Sequence, residues 1–239
     1  MPSAAGLTTA SHPFGILYIV GTPIGNLEDI SLRALRILRE VELIAAEDTR
    51  KTRKLLTHYQ ITCPLTSYHD HNKEAKAPYL IERLKKGQKV ALVSEAGTPG
   101  LSDPGYYLIR FAVEEKIPLV PIPGPAALIA ALSVSGLPTD RFVFEGFLPR
   151  KGGKRRKRLE SLKEEKRTVI LYESPHRLIR LLEEIQTVLG KNRPIVVAKE
   201  LTKLHEEFCR GKVEEVLEKL KGKKVLGEQA VLIAGSSPL

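Results

Sequence analysis

Residues 90–105, Val-Ala-Leu-Val-Ser-Glu-Ala-Gly-Thr-Pro-Gly-Leu-Ser-Asp-Pro-Gly, concentrate the residue types that can hold a small molecule. Gly97, Gly100 and Gly105 open backbone geometries closed to other residues, and Pro99 and Pro104 fix φ. An apolar run that stops in such a loop and resumes after Asp103-Pro104 reads as a strand, a sharp connection and a helix start. Ligands of open α/β sheets bind at strand ends of this kind. An ordinary connection needs neither three glycines nor two acids.

A second concentration is Ala45-Ala-Glu-Asp-Thr-Arg50. Glu47 and Asp48 can orient a hydroxyl or accept its proton, although Asp48 or Thr49 can equally cap the helix that follows. Arg50 leads into Lys51, Arg53 and Lys54 and suits a phosphate. Lys199, Glu200, His205 and Glu206 form a further charged cluster after a strand, and Glu173-Ser-Pro-His-Arg177 another. In that one Ser174 is expected to cap a helix opening at Pro175. Gly21-Thr-Pro-Ile-Gly-Asn-Leu27 lacks G-x-G-x-x-G and the Lys of a P-loop, so it reads as a tight turn lining a pocket and not as a triphosphate cradle. Tyr68-His-Asp-His-Asn-Lys73 offers His69, His71 and Asp70 but no convincing further metal ligand, so no metal is expected. No Gly-x-Ser-x-Gly elbow supports a Ser-His-Asp nucleophile.

Arg150-Lys-Gly-Gly-Lys-Arg-Arg-Lys-Arg158 holds seven basic residues in nine. Gly152-Gly153 is expected to leave the run mobile, and flexible cations neutralise phosphates and release counterions. The net charge of +10 points the same way, towards a polyanion. Two cysteines are too few for a disulfide framework and fit a reducing cytoplasm. No apolar run approaches the roughly 20 residues of a membrane span. Residues 1–14 read as a loose polar tail.

Strands are predicted at Leu17–Val20, Leu43–Ala46, Val90–Val93, Leu119–Pro121, Phe142–Phe147, Thr168–Tyr172, Ile195–Ala198 and Gln229–Ala234. Helices are predicted at Ser31–Val41, Thr49–Thr57, Lys73–Lys86, Pro104–Glu115, Pro125–Ser133, Lys154–Glu165, Pro175–Leu189 and Val213–Leu220. This alternation means α/β architecture. Punctuation by Gly and Pro places a boundary near 121–126, with an N-terminal α/β domain over 1–122 and a C-terminal one over 123–239.

Six of these segments, taken in order, resemble one family. They are Gly21–Leu27, Ala45–Arg50, Ser94–Gly105, Pro121-Ile-Pro-Gly-Pro-Ala126, Glu173–Arg177 and Lys199-Glu-Leu-Thr-Lys-Leu-His-Glu-Glu207. The set resembles the tetrapyrrole-methylase superfamily and, within it, the bacterial 16S ribosomal RNA cytidine 2′-O-methyltransferases of the decoding centre. The resemblance runs from about Leu17 to Gly235. It implies two α/β domains with S-adenosylmethionine in the cleft between them, and a homodimer. By position it assigns Pro23, Gly97, Thr98, Leu101, Ser102, Asp103, Ala126, Ala127, Leu171 and Tyr172 to the cofactor. The catalytic group is expected within the pool Asp48, Glu95, Lys199 and Glu200. Contacts to 16S ribosomal RNA, within the small ribosomal subunit, are expected from Arg50, Lys151, Lys154, Arg155, Arg156, Lys157, Arg158 and Arg177. Many relatives carry a further C-terminal segment, so RNA contacts made there must be absent or supplied by other residues. Methylation of a tetrapyrrole, or a non-catalytic RNA-binding role on the same fold, are the competing readings. The basic surface opposes the first, and the intact 94–105 segment the second.

Overall fold

A computed structural model describes residues 13–223 and 227–236. The polar tail expected over residues 1–14 lies almost wholly outside the described residues. The contacts divide the chain into two units, residues 1–23 with 27–125, and residues 24–26 with 126–239.

The first unit is built on a five-stranded parallel sheet. Its strands are β1 (Leu17–Val20), β2 (Leu43–Ala46), β3 (Leu65–Ser67), β4 (Val90–Val93) and β5 (Leu119–Ile122), in the spatial order β3-β2-β4-β1-β5. All neighbours in it run parallel, so every connection must cross over, and helices cover both faces. α1 (Leu32–Glu40) and α2 (Thr49–His58) pack with Val20, Ile44, Ala46, Ala91 and Val93 on one face. α3 (Lys73–Lys85) and α4 (Gly105–Glu114) pack with Leu17, Leu43, Ala45, Val90 and Leu92 on the other. Successive strand residues thus enter opposite cores, which is why these strands are apolar throughout.

The second unit holds β6 (Phe142–Phe147), β7 (Thr168–Glu173), β8 (Pro194–Lys199), β9 (Glu207–Lys212) and β10 (Gln229–Ile233), in the order β6-β7-β10-β8-β9. Only β6 and β7 pair in parallel; β10 and β9 run antiparallel to their neighbours. α6 (Gly152–Ser161), α7 (Leu178–Leu189) and α8 (Val213–Leu220) cover one face of this sheet, and α5 (Ala127–Ser133) the other.

β3 and β9 are not among the strands predicted from the sequence. β3 has only three residues, and β9 is an edge strand, Glu-Phe-Cys-Arg-Gly-Lys, too polar to read as a core strand. Five helix starts also differ: those of α1 and α4 by one residue, those of α5 and α6 by two, and that of α7 by three. α7 opens at Leu178 and not at Pro175, because residues 174–177 form a turn closed by Arg177 N–H on the Ser174 carbonyl at 3.1 Å. α6 opens at Gly152, so the two glycines are helical and not a loose lead-in. Among the described residues no helix is long and apolar enough to cross a membrane.

Candidate active site

In a parallel sheet the loops after β1, β2, β4 and β5 leave from the same edge. Those of β1, β4 and β5 are stitched together in the first unit. Thr22 and Gly97 exchange backbone hydrogen bonds in both directions, at 2.9 and 3.0 Å. The Ser94 hydroxyl donates to the same Gly97 carbonyl at 3.2 Å. Thr98 Oγ1 donates to the Pro125 carbonyl at 3.0 Å. Gly21 and Gly124 touch backbone to backbone: a Cβ on Gly21 would lie 2.8 Å from Gly124 Cα.

Within the 94–105 loop Gly97 and Gly100 take φ of +85° and +89°, and Ser102 takes +64°. The Asp103 carboxylate accepts from Gly100 N–H at 2.8 Å and Gly105 N–H at 2.7 Å. It therefore ties off the loop and serves the first turn of α4, one position later than the sequence predicts. Burial raises its pKa, against the pull of those two N–H groups. Leu101 and Ser102 form the exposed tip. Their N–H groups find no partner among the described residues. Pro23 is half-buried.

The acids after β2 have separate tasks. Asp48 caps α2, accepting from Arg50 N–H at 2.8 Å and Lys51 N–H at 3.2 Å. The N–H groups of Lys51 and Arg50 hold its pKa below the ordinary value, so it is a weak proton acceptor. Glu95 is exposed and ion-paired with Lys51. Glu47 is the acid whose surroundings favour a proton. Burial raises its pKa, and the nearby carboxylates of Asp103, Glu95 and Asp70 add to the rise against one hydrogen bond from Glu95 N–H, 2.9 Å from Oε2. The pool expected from the sequence includes its neighbour Asp48 and omits Glu47. The cap position of Asp48 was the signal that could have told them apart.

In the second unit Lys199, at the end of β8, is ion-paired with Glu207 across the ladder on β9. Without β9, that partner is not readable from the sequence. Glu200 takes φ of +50° and pairs with Lys203 at 2.9 Å. Ala126 is the N-cap of α5 and Ala127 its first residue. The Tyr172 hydroxyl accepts from Leu128 N–H at 3.0 Å, which fixes the ring against the start of α5. Leu171 is fully buried in the core under α7, so its side chain cannot line a ligand pocket.

The basic residues also divide. Arg155 is buried, and both arms of its guanidinium bind Glu184 at 2.5 Å. It holds α6 to α7 and is not available to a phosphate. Arg177 is bound to buried Glu173 at 3.0 Å and donates to the Leu148 carbonyl. Arg156 and Arg158 are paired with Glu160 and Glu145. Lys151, Lys154 and Lys157 are exposed and enter no ion pair among the described residues. Arg50 is almost wholly exposed and only loosely paired with Asp48, at 3.5 Å. With Arg53, Lys54, Thr57 and His58 it rims a depression of about 530 Å³ along α2.

The family model described as Tetrapyrrole (Corrin/Porphyrin) Methylases matches residues 16–217. The Ribosomal RNA small subunit methyltransferase I of Synechocystis sp. is 54% identical over 224 residues, 94% of this chain and 80% of that one. That of Thermotoga maritima is 51% identical over 221 residues, 92% of this chain and 99% of that one. The chain belongs to the tetrapyrrole methylase family, in its ribosomal RNA small subunit methyltransferase I group. Among solved structures of the same fold is the uroporphyrin-III C-methyltransferase of Thermus thermophilus complexed with S-adenosylhomocysteine. It is 20% identical with a TM-score of 0.65, covering 92% of this chain and 97% of that one. The cobalt precorrin-4 methyltransferase of cobalamin biosynthesis has a TM-score of 0.67 at 17% identity, covering 96% and 98%. With these two the chain shares the fold, whereas its close sequence similarity is to the ribosomal RNA enzymes.

Proposed function

We propose that the protein transfers a methyl group from S-adenosylmethionine to the 2′-hydroxyl of a cytidine ribose in the decoding centre of 16S ribosomal RNA. In this reading it acts in the cytoplasm, as a homodimer, on the small ribosomal subunit. The observation that carries it is the 51% and 54% identity, over 92% and 94% of the chain, to proteins named as small-subunit ribosomal RNA methyltransferases. The six ordered motifs support the choice of cytidine and of the 2′-oxygen.

The 94–105 loop fits the cofactor. Its glycines present bare backbone, the N–H groups of Leu101 and Ser102 are available as donors, and Glu47, Glu95 and Asp103 place negative charge beside it. Such a surface suits a ligand that combines hydrogen-bonding groups with a cationic sulfur. Gly97 and Thr98 would lie against it, with Pro23 alongside. In the second unit Ala126, Ala127 and Tyr172 are the residues assigned to it.

When bound, S-adenosylmethionine supplies a methyl group already activated on sulfonium. The residues around it must hold the ribose oxygen in line with the carbon–sulfur bond, which makes the transfer effectively unimolecular. As the oxygen–carbon bond forms and the carbon–sulfur bond breaks, the hydroxyl proton passes to a base. Glu47 is assigned that role: its raised pKa makes it a better acceptor than Asp48, whose charge is stabilised by two N–H groups. Glu95, Lys199 and Glu200, expected with Asp48 to include the catalytic group, are here given the task of orienting the hydroxyl. Arg50, Arg53 and Lys54 on α2, with Lys151, Lys154 and Lys157, hold the RNA backbone. Arg53 and Lys54 enter no ion pair among the described residues, and with Arg50 they border the depression along α2.

Calorimetric titration of S-adenosylmethionine into wild type and Gly97→Val tests the site. A branched side chain at φ +85° is sterically excluded, so binding is expected to disappear. Unchanged affinity would remove the cofactor from this loop. Incubation of unmethylated small subunits with enzyme and cofactor, followed by mass-spectrometric mapping of 2′-O-methyl groups, tests the reaction. Absence of a new methylated cytidine would overturn it.

A further inference from the structure

Of the five basic residues on α6, Arg155, Arg156 and Arg158 are each committed to an acid. The other two, Lys154 and Lys157, lie three residues apart on one helix face. Both border the same hollow, about 460 Å³ in volume, and so does Phe147 at the end of β6. Phe147 is 44% exposed although its neighbours Gly146 and Leu148 are buried. Its ring is nonetheless held in place, 5.6 Å from the Tyr172 ring, which in turn meets Phe144 edge-on at 5.0 Å. Among the described residues the one carboxylate lining the hollow is Glu145, gripped by both arms of the Arg158 guanidinium at 2.6 Å. These lining charges are therefore three positive and one negative, and the excess of two resides on the lysines.

We propose that Phe147, Lys154 and Lys157 form a subsite for one unpaired RNA nucleotide, in which the ring stacks on the base and the lysines hold the flanking phosphates. The proposal rests on the RNA-methylation reading and adds to it a place where the protein senses a base. Unpaired nucleotides are bound by this combination, because every base has a π-face for an aromatic ring and a phosphate for a cation. A ring fixed by Tyr172 loses little freedom on stacking. Neither an apolar partner nor a purely ionic one would use both features of the hollow.

The test compares binding of two probes, a 12-nucleotide single-stranded RNA and the same oligonucleotide with abasic residues. Both carry the same charge. Wild type should prefer the intact RNA by about 10-fold, the equivalent of ~1.4 kcal/mol of stacking. Phe147→Ala should abolish that preference, and Phe147→Tyr should restore it. Lys154→Gln with Lys157→Gln should weaken both probes alike and flatten the salt dependence by about 0.7 for each phosphate no longer neutralised. Equal affinity of wild type for the two probes would overturn the stacking role and leave an anion-binding surface. A Phe147→Ala variant that keeps the preference, or that loses affinity for S-adenosylmethionine by calorimetry, would also overturn it, in the second case by placing the ring against the cofactor. If the lysine variant loses RNA while the Phe147 variants behave as wild type, the subsite fails and the RNA reading stands. If wild type binds neither probe, the subsite fails, and the RNA reading is decided by methylation of small subunits.

Discussion

Gly124→Ala should loosen the loop framework, by an amount that follows from one close approach. Gly21 and Gly124 follow β1 and β5, which are paired along their whole length. A Cβ on Gly124 would meet the Cα, C and O atoms of Gly21, all at 2.9 Å. Ordinary contact begins near 3.4 Å, so the two backbones must separate by about half an ångström. Neither glycine has a positive φ, so conformational strain adds nothing and the cost is steric. Both partners are backbone and cannot rotate away, unlike a flexible side chain. Overpacking of this kind costs about 1–3 kcal/mol. For a unit of this size that corresponds to a fall in Tm of roughly 4–12 °C. Urea unfolding followed by circular dichroism would measure it. The same displacement moves Pro125, which anchors Thr98 of the 94–105 loop, so affinity for S-adenosylmethionine should fall as well. Gly153→Ala is the control: it lies in α6 with nothing within 4 Å of the added atom, and should stabilise by up to about 1 kcal/mol. A Gly124→Ala protein as stable as wild type would refute the rigid juxtaposition of the two loops.

Glu47→Gln should lower single-turnover methyl transfer by about 100-fold at saturating RNA, the scale of a lost proton acceptor. Because the folded-state pKa of Glu47 is raised, wild-type activity should climb as pH rises through that value, while its contribution to stability is present at lower pH and declines over the same interval. Glu47→Gln should remove both dependences, and a variant that retained the activity profile would exclude Glu47 as the base. Arg155→Met should destabilise by about 3 kcal/mol, since Glu184 keeps Arg180 at 3.3 Å. Glu184→Gln should cost more, towards ~5 kcal/mol, because Arg155 is then buried without a counter-charge; denaturant titration would reveal whether the order is reversed. Arg53→Gln with Lys54→Gln should weaken RNA binding and reduce the slope of log K against log[salt] by about 0.7–0.9 for each phosphate released, with cofactor affinity unchanged. A constant slope would return α2 to plain solvated surface.

Periodicity and punctuation were enough to place eight of the strands and all the α-helices to within a few residues, because each is a local pattern: alternating or continuous apolar runs, closed by Gly, Pro or a capping acid. The family was equally legible, since its motifs are contiguous segments at loop positions where small residues are required. Composition also gave the basic character of the chain. What failed was whatever depends on a partner distant in sequence. β9 is polar, and only the ladder with β8 makes it a strand and gives Lys199 its acid. Arg155 and Arg158 look alike in a run of seven cations, yet Glu184 draws one into the core and Glu145 fixes the other at the rim of a hollow. Leu171 is assigned to the cofactor by the family resemblance, but its place in the strand alternation turns the side chain into the core. Glu47 and Asp48 are adjacent acids whose proton affinities are driven apart by tertiary surroundings: two helix N–H groups favour the charge on Asp48, and burial among other carboxylates disfavours it on Glu47. Residue types and local patterns therefore determined which elements form and which chemistry is on offer. Burial and long-range pairing, which set the electrostatic work of keeping each charge, decided which of those groups are free to perform it.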